Sequence, residues 1–226
     1  MNEQYRFDLH IHSKYSYDSL ISPQTILKRA LSKGLDAIAI TDHNTIRGST
    51  IAQSIKQDAI LIVTGAEIST NYGDLTGIFL NEELRSRIFE EVIEEIHDQD
   101  GIVVLPHPCR RKKFPPQDLL NKIDIFEGLN SRSSDSNNIN SQKLSHRLQK
   151  PMIAGSDAHT FIEIGNAWSS IQNEKKMDEE MLRRNLLKYE IQLFQVKSWQ
   201  NRRINQVYSS VIKYLRKDLN PFHRLS

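Results

Sequence analysis

Apolar residues along this chain come in short runs separated by stretches of helical periodicity, from the N-terminus to about residue 171. Residues 6–12 (RFDLHIH) read as a strand. Ser22 and Pro23 then supply a cap and a first-turn proline for the periodic segment TILKRALSK, which Gly34 closes. The step repeats as strand 37–41, helix 46–57, strand 60–69, a short strand 75–80, the amphipathic helix 82–98 and, after Gly101, strand 102–105. A weaker helix at 117–122, strand 123–129, helix 138–149, strand 152–154 and a last strand 168–171 follow. Residues 177–189 and 199–215 read as further helices, and 131–141, rich in Ser and Asn, as an exposed loop. Parallel strands need crossovers, so this alternation predicts an α/β domain with a largely parallel sheet of six or seven units. Doubly wound or closed into a barrel, such a sheet carries its reactive groups where strands end and loops begin.

At 226 residues the chain is long enough for a full barrel with a short extension. One cysteine, Cys109, excludes an internal disulfide and a thiolate zinc site, and fits a cytoplasmic location. The N-terminus lacks a signal pattern and no apolar run approaches a membrane span. The net charge of +2 hides an asymmetry: residues 1–182 hold 20 basic and 26 acidic residues, residues 183–226 hold 10 and 2. A basic C-terminal segment of this kind suits an anionic partner.

Five of the eight histidines fall directly after predicted strands: His10 and His12 in DLHIHS, His43 in ITDHN, His107 in LPHP and His159 in GSDAH. Glu67 in GAEIS and Asp157 in GSDAH end strands as well. Residues two apart in a strand share a face, so both His10 and His12 can reach one ion. Imidazoles and carboxylates together make a divalent-metal donor set. One strand-end histidine is more often a capping or core residue. Seven such groups at the same end of successive strands favour metal chemistry, and neither a Gly-x-Ser-x-Gly elbow nor a cysteine nucleophile motif competes with it.

The ordered set DLHIHS, YSYDS, TDH, GAE, PHP and GSDAH resembles the polymerase and histidinol phosphatase (PHP) family of metal-dependent phosphoesterases over about residues 6–171. The resemblance implies a distorted seven-stranded (β/α) barrel, TIM-barrel-like, over residues 1–175, with a basic helical extension at 176–226. It further implies two or three divalent ions (Mn, Zn, Fe or Mg) at the C-terminal face. His10, His12, Asp157 and a bridging Glu67 are expected to hold one, His107 with Glu67 a second, and Asp18, His43 and His159 a third. Two departures matter. Asp18 stands where many relatives have histidine, which favours Mn²⁺ or Mg²⁺ over Zn²⁺. Residues 72–80 lack the histidine that many relatives supply to the second ion, leaving water, Asn130 or Glu127 to complete it.

Asp42 is expected to orient a ligand imidazole, or else to cap the following helix. Arg132, Arg110, Arg111 and Lys14 are candidate phosphate binders, with Lys112 and Lys113 as surface charges; Tyr15 and Tyr17 are candidates to stack on a base. The expected reaction is hydrolysis of a phosphate ester by a metal-bound hydroxide, with Glu67, Asp157, His159 and His43 closest to the chemistry. The expected substrate is a phosphomonoester of a nucleotide, such as a 3′,5′-bisphosphate, or a short oligonucleotide. Histidinol phosphate, phosphotyrosine, amide hydrolysis and a non-enzymatic scaffold or nucleic-acid-binding module are the competing readings. The basic residues Arg183, Arg184, Lys188, Lys197, Arg202, Arg203, Lys213, Arg216 and Lys217 suit a nucleic acid, although helix 199–215 also reads as packing Val207, Val211, Ile212 and Leu215 on the barrel.

Overall fold

The computed structural model describes residues 4–110, 114–172, 176–188, 190–196 and 199–216, with side chains of the last segment described from 205 onward. Arg111, Lys112, Lys113, Lys197 and Lys217, and the side chains of Arg202 and Arg203, lie outside the described residues.

Seven strands form the wall: β1 (Gln4–Ile11), β2 (Ala37–His43), β3 (Leu61–Thr70), β4 (Gly73–Ile78), β5 (Ile102–Leu105), β6 (Ile125–Asn130) and β7 (Met152–Gly155). Two more, β8 (Ala167–Gln172) and β9 (Gln192–Gln195), continue past β1, giving the order β7-β6-β5-β4-β3-β2-β1-β8-β9. β1 and β2 are buried almost throughout, as strands covered on both faces must be. At the site end the wall meets itself: His12 N–H donates to Ala158 O at 2.9 Å and Asp157 N–H to His10 O at 2.8 Å. At the other end β8 fills the seam, Ala154 N–H donating to Ser169 Oγ at 2.7 Å. The result is a nearly closed α/β barrel with nine strands where seven were expected.

The sheet is less parallel than the alternation suggested. β3–β4 and β4–β5 are antiparallel because β3 turns into β4 through Asn71 and Tyr72 without a crossover, and β1–β8 and β8–β9 are antiparallel as well. Gly73, at φ 93°, takes the backbone through that turn.

Helices α1 (Pro23–Ser32), α2 (Arg47–Gln53), α3 (Phe89–His97), α4 (Gln117–Asn121), α5 (Asp135–Leu148), α6 (Glu179–Leu186) and α7 (Trp199–Leu215) complete the chain. α1 starts where Ser22 Oγ accepts from Thr25 N–H and buries Ile26, Leu27 and Ala30. α3 is shorter than expected because side chains take over the backbone of 82–88: the Glu95 carboxylate accepts from Arg85 and Ser86 N–H, and Gln99 Oε1 from Glu82 N–H. The expected loop at 131–141 is instead a buried turn followed by α5. Asn130 Oδ1 accepts from Arg132 and Ser133 N–H, and Ser134 caps the helix at Asn137 N–H.

Candidate metal centre

Strand ends bring together every histidine and carboxylate expected at the metals. His10 and His12 leave β1 on one face, Glu67 lies in β3 and Asp157 follows β7. The Nε2 atoms of His10 and His12 are 3.2 Å apart. They lie 3.5 and 3.3 Å from Glu67 Oε2, and 3.7 and 3.5 Å from Asp157 Oδ1. Metal bonds of about 2.0–2.2 Å place tetrahedral ligand atoms about 3.3–3.6 Å apart, and His10, His12 and Glu67 bring donor atoms within 4.8 Å of one another, as do His10, His107 and Asp157.

Proton accounting reaches the same place. His10 Nδ1 contacts Glu127 Oε1 at 2.9 Å, and His159 Nδ1 contacts the Asp157 carbonyl at 2.8 Å. His12 Nδ1 contacts Ser16 Oγ at 3.3 Å, whose own proton goes to Asp18 Oδ1 at 2.8 Å. An Nδ1 facing an acceptor donates, which leaves the lone pair of a neutral ring on Nε2. Those lone pairs are turned toward the carboxylates of Glu67 and Asp157 and, for His159, toward Asp18 Oδ2 at 3.0 Å. Acceptors facing acceptors in a buried site need a cation between them. His43 adds a buried Nδ1 with no hydrogen-bond partner, 3.5 Å from Glu67 Oε2.

The pKa shifts express the same demand for positive charge. Burial alone would lower His10, but Glu127, Asp157 and Glu67 outweigh it and hold the ring well above its usual value. His12 rises to about 10, its bonds to Asp157 and Glu67 outweighing burial. Burial would raise Glu67, but the charges of His10 and His43 keep it well below the usual carboxylate range. His159 goes the other way, to about 4, because burial, His12 and Arg132 outweigh the pull of Asp18. A divalent ion replaces protons in such a cluster.

Glu67 reaches two ways. Its Oε2 faces His10, His12 and His43, while Oε1 meets His107 Nε2 at 3.0 Å. Glu67, His107 and Asp74 bring donor atoms within 4.8 Å of one another, as do His12, Asp18, His43 and His159. Asp74, missed in the sequence, stands where the absent histidine was sought. It pairs across the hairpin with Ser69, two residues from Glu67 and on the same face, and Ser69 Oγ donates to it at 3.0 Å. The signal available was the short turn at Asn71 and Tyr72, which fixes that register.

Glu127 and Asn130 support the ligands. Glu127 Oε2 accepts from His107 N–H at 2.7 Å and from Asn130 Nδ2 at 2.9 Å, and Asn130 Nδ2 also reaches Asp157 Oδ2 at 3.2 Å. Gly155 makes room for this network, since a Cβ there would collide with Glu127 Oε1. Asp42 does neither job expected of it. Its carboxylate, raised to about 6 by burial, accepts from Ser13 N–H and Oγ–H and fixes the turn after His12. Glu163, also missed, accepts from His159 and Thr160 N–H at 2.9 Å each. Asp157 and His107 hold left-handed backbone at φ 53° and 32°, strain of the kind that clusters at functional sites.

Around this floor opens a cleft of about 250 Å³. Arg110 lines it and donates to Asp157 Oδ2 at 2.8 Å. Arg132 lines it too, with Nη2 turned to Ser209 and to Asn205 O of α7. Lys14 is not brought there: it is exposed, its ammonium 5.4 Å from the centre of the Tyr15 ring. Lys213 of α7 takes that place, lying 4.9 Å over Tyr17, which stacks on His43 at 4.6 Å.

A family model described as "PHP domain" matches residues 8–182. The chain belongs to the PHP domain family. A relative from Methanocaldococcus jannaschii, uncharacterized protein MJ0417, is 31% identical over 95% of this chain and 99% of its own length. A 5′-3′ exoribonuclease of Haemophilus influenzae is 41% identical over 30% of this chain, which matches only 24% of that protein. Among solved structures, a two-domain protein from Bacteroides vulgatus described as containing a predicted PHP-like metal-dependent phosphoesterase superposes with TM-score 0.67 at 20% identity, covering 85% of this chain and 65% of that one. Endonuclease Q in complex with a 27-mer duplex carrying an abasic lesion superposes with TM-score 0.64 at 18% identity, covering 81% and 56%. The His, Asp and Glu groups gathered at the strand ends form a donor set that fits divalent metal ions. No helix among the described residues is long and apolar enough to cross a membrane.

Proposed function

We propose that this PHP protein hydrolyses a phosphate monoester of a nucleotide or short oligonucleotide, using two or three divalent ions. The observation that carries this is the set of imidazole lone pairs turned onto carboxylates at the floor of a cleft edged by Arg110 and Lys213. His10, His12, Glu67 and Asp157 would hold one ion, Glu67, Asp74 and His107 a second, and Asp18, His43 and His159 a third. Divalent ions held there would supply the charge that activates water near neutral pH and neutralises phosphate oxygens. Three carboxylates and a fourth at Asp74 make the set hard, favouring Mn²⁺ or Mg²⁺.

The protein's own groups supply orientation. Glu127 and Ser16 fix the tautomers of His10 and His12, so their donor atoms face inward without rearrangement. Arg110 and Lys213 bring positive charge to a phosphate that enters the cleft. His159, with Nδ1 on the Asp157 carbonyl and Nε2 facing Asp18, would serve as a ligand. Those cations favour a phosphate over an amide substrate. The names of the exoribonuclease and endonuclease relatives agree with a nucleotide. A screen of phosphate monoesters, nucleotide bisphosphates and short RNA and DNA with Mn²⁺ tests the reading. Phosphate release from the nucleotide set is expected; no release above that of metal-stripped protein from any substrate overturns it.

A further inference from the structure

Helix α7 is attached in an unexpected way. Of the four apolar positions that sequence periodicity assigns to the barrel, Ile212 is buried as expected, but Val207 at 64%, Val211 at 51% and Leu215 at 73% are exposed. Among its described side chains, from 205 onward, the buried ones are Asn205, Ser209 and Ile212, two of the three polar. Burial of apolar surface normally places an amphipathic helix, and here hydrogen bonds add to it. Arg132 Nη2 donates to Asn205 O at 3.5 Å and to Ser209 Oγ, and Gln206 Nε2 donates to Arg132 O at 3.1 Å. At the far end Arg216 Nη1 lies 3.1–3.2 Å from the carbonyls of Lys14, Ser16 and Ser19, on the loop that carries Asp18. Gln206, Ser209, Ser210 and Lys213 line the cleft, so the helix forms one wall of the mouth.

We propose that α7 is the substrate-selecting wall of the site: Lys213 grips the incoming phosphate, and the helix, latched by Arg216, admits a terminal phosphate on a small molecule or single strand and excludes one on a duplex. The size of the cleft supports this, since about 250 Å³ is below the roughly 300–1,000 Å³ of pockets that enclose drug-sized ligands. The proposal rests on the phosphoesterase reading above and specifies its substrate class. Elements held by few apolar contacts open at low cost, so breaking the latch should widen the mouth without unfolding the barrel.

The test compares three substrates with Mn²⁺: p-nitrophenyl phosphate, a short single-stranded oligonucleotide with a terminal phosphate, and the same phosphate at a blunt duplex end. Wild type should prefer the single strand over the duplex at least tenfold in kcat/KM. Arg216→Ala should reduce that ratio to within threefold by raising the duplex rate, and Arg216→Lys, whose ammonium still donates to the carbonyls, should restore it. Lys213→Glu should raise KM for p-nitrophenyl phosphate about tenfold with a smaller change in kcat. Equal wild-type rates on strand and duplex, or a ratio unmoved in Arg216→Ala, overturns the role of the helix while leaving the phosphoesterase reading intact. Failure of wild type to release phosphate from any of the three overturns that reading. Titration of the metal-loaded protein with inorganic phosphate then decides the wall by itself: Lys213→Glu should bind at least tenfold more weakly, and unchanged affinity overturns it.

Discussion

The floor of the cleft and the wall contributed by α7 are built on opposite plans. The floor is a buried set of titratable groups on strand ends, several of them held by a supporting partner: Glu127 behind His10, Ser16 behind His12, Glu163 behind the His159 backbone. The wall is a helix whose described buried side chains are Asn205, Ser209 and Ile212, with Val207, Val211 and Leu215 exposed. The first arrangement is costly without a cation and rigid with one; the second is easily moved. Chemistry and selection are thereby divided between a part that must not shift and a part that can.

The largest expected effect lies on the floor. Glu67→Gln removes the charge shared among four histidines, and phosphatase assays should show a loss of at least a thousandfold, with circular dichroism unchanged; full activity would refute the bridging role. Asp74→Ala and Glu127→Gln should each cost about 10–100-fold in activity or Mn²⁺ affinity, the range typical of groups supporting a metal. A change under twofold at Asp74 would return the second ion to water. Metal loading should also stabilise the fold. Mn²⁺ at about 1,000 times its dissociation constant adds about 4 kcal/mol, which for a domain of this size raises Tm by roughly 8–16 °C. An unchanged Tm in differential scanning fluorimetry would contradict a native metal site. The smallest effects belong to the wall: Val207→Ser and Val211→Ser should stay within about 0.5 kcal/mol of wild type in urea unfolding, whereas Ile212→Ala should cost about 2 kcal/mol or more. Equal losses at all three would mean that the apolar face of α7 is covered.

The floor was largely legible in the sequence because strand-end histidines and carboxylates carry their own signal, and a period of two places His10 beside His12 whatever the rest of the chain does. Asp74 was not, since its role depends on hairpin register, and a search for a missing histidine passes over a carboxylate. The failures of pattern share one cause, tertiary bonds overriding local preference. Residues 82–88 read as helix, but Arg85 and Ser86 give their N–H groups to Glu95 and Glu82 gives its own to Gln99. The Ser/Asn-rich segment reads as loop but is folded around Asn130. Helix α7 was correctly bounded and wrongly oriented, because Arg132 and Arg216 hold it where hydrophobicity would not.

The central claim, that the barrel mouth is a divalent-metal centre, is tested most directly by the metal content of Mn²⁺-saturated, desalted protein measured by inductively coupled plasma mass spectrometry. Two to three equivalents per chain, falling by at least one in Glu67→Gln, is the predicted result. Less than one equivalent in the wild type would contradict it.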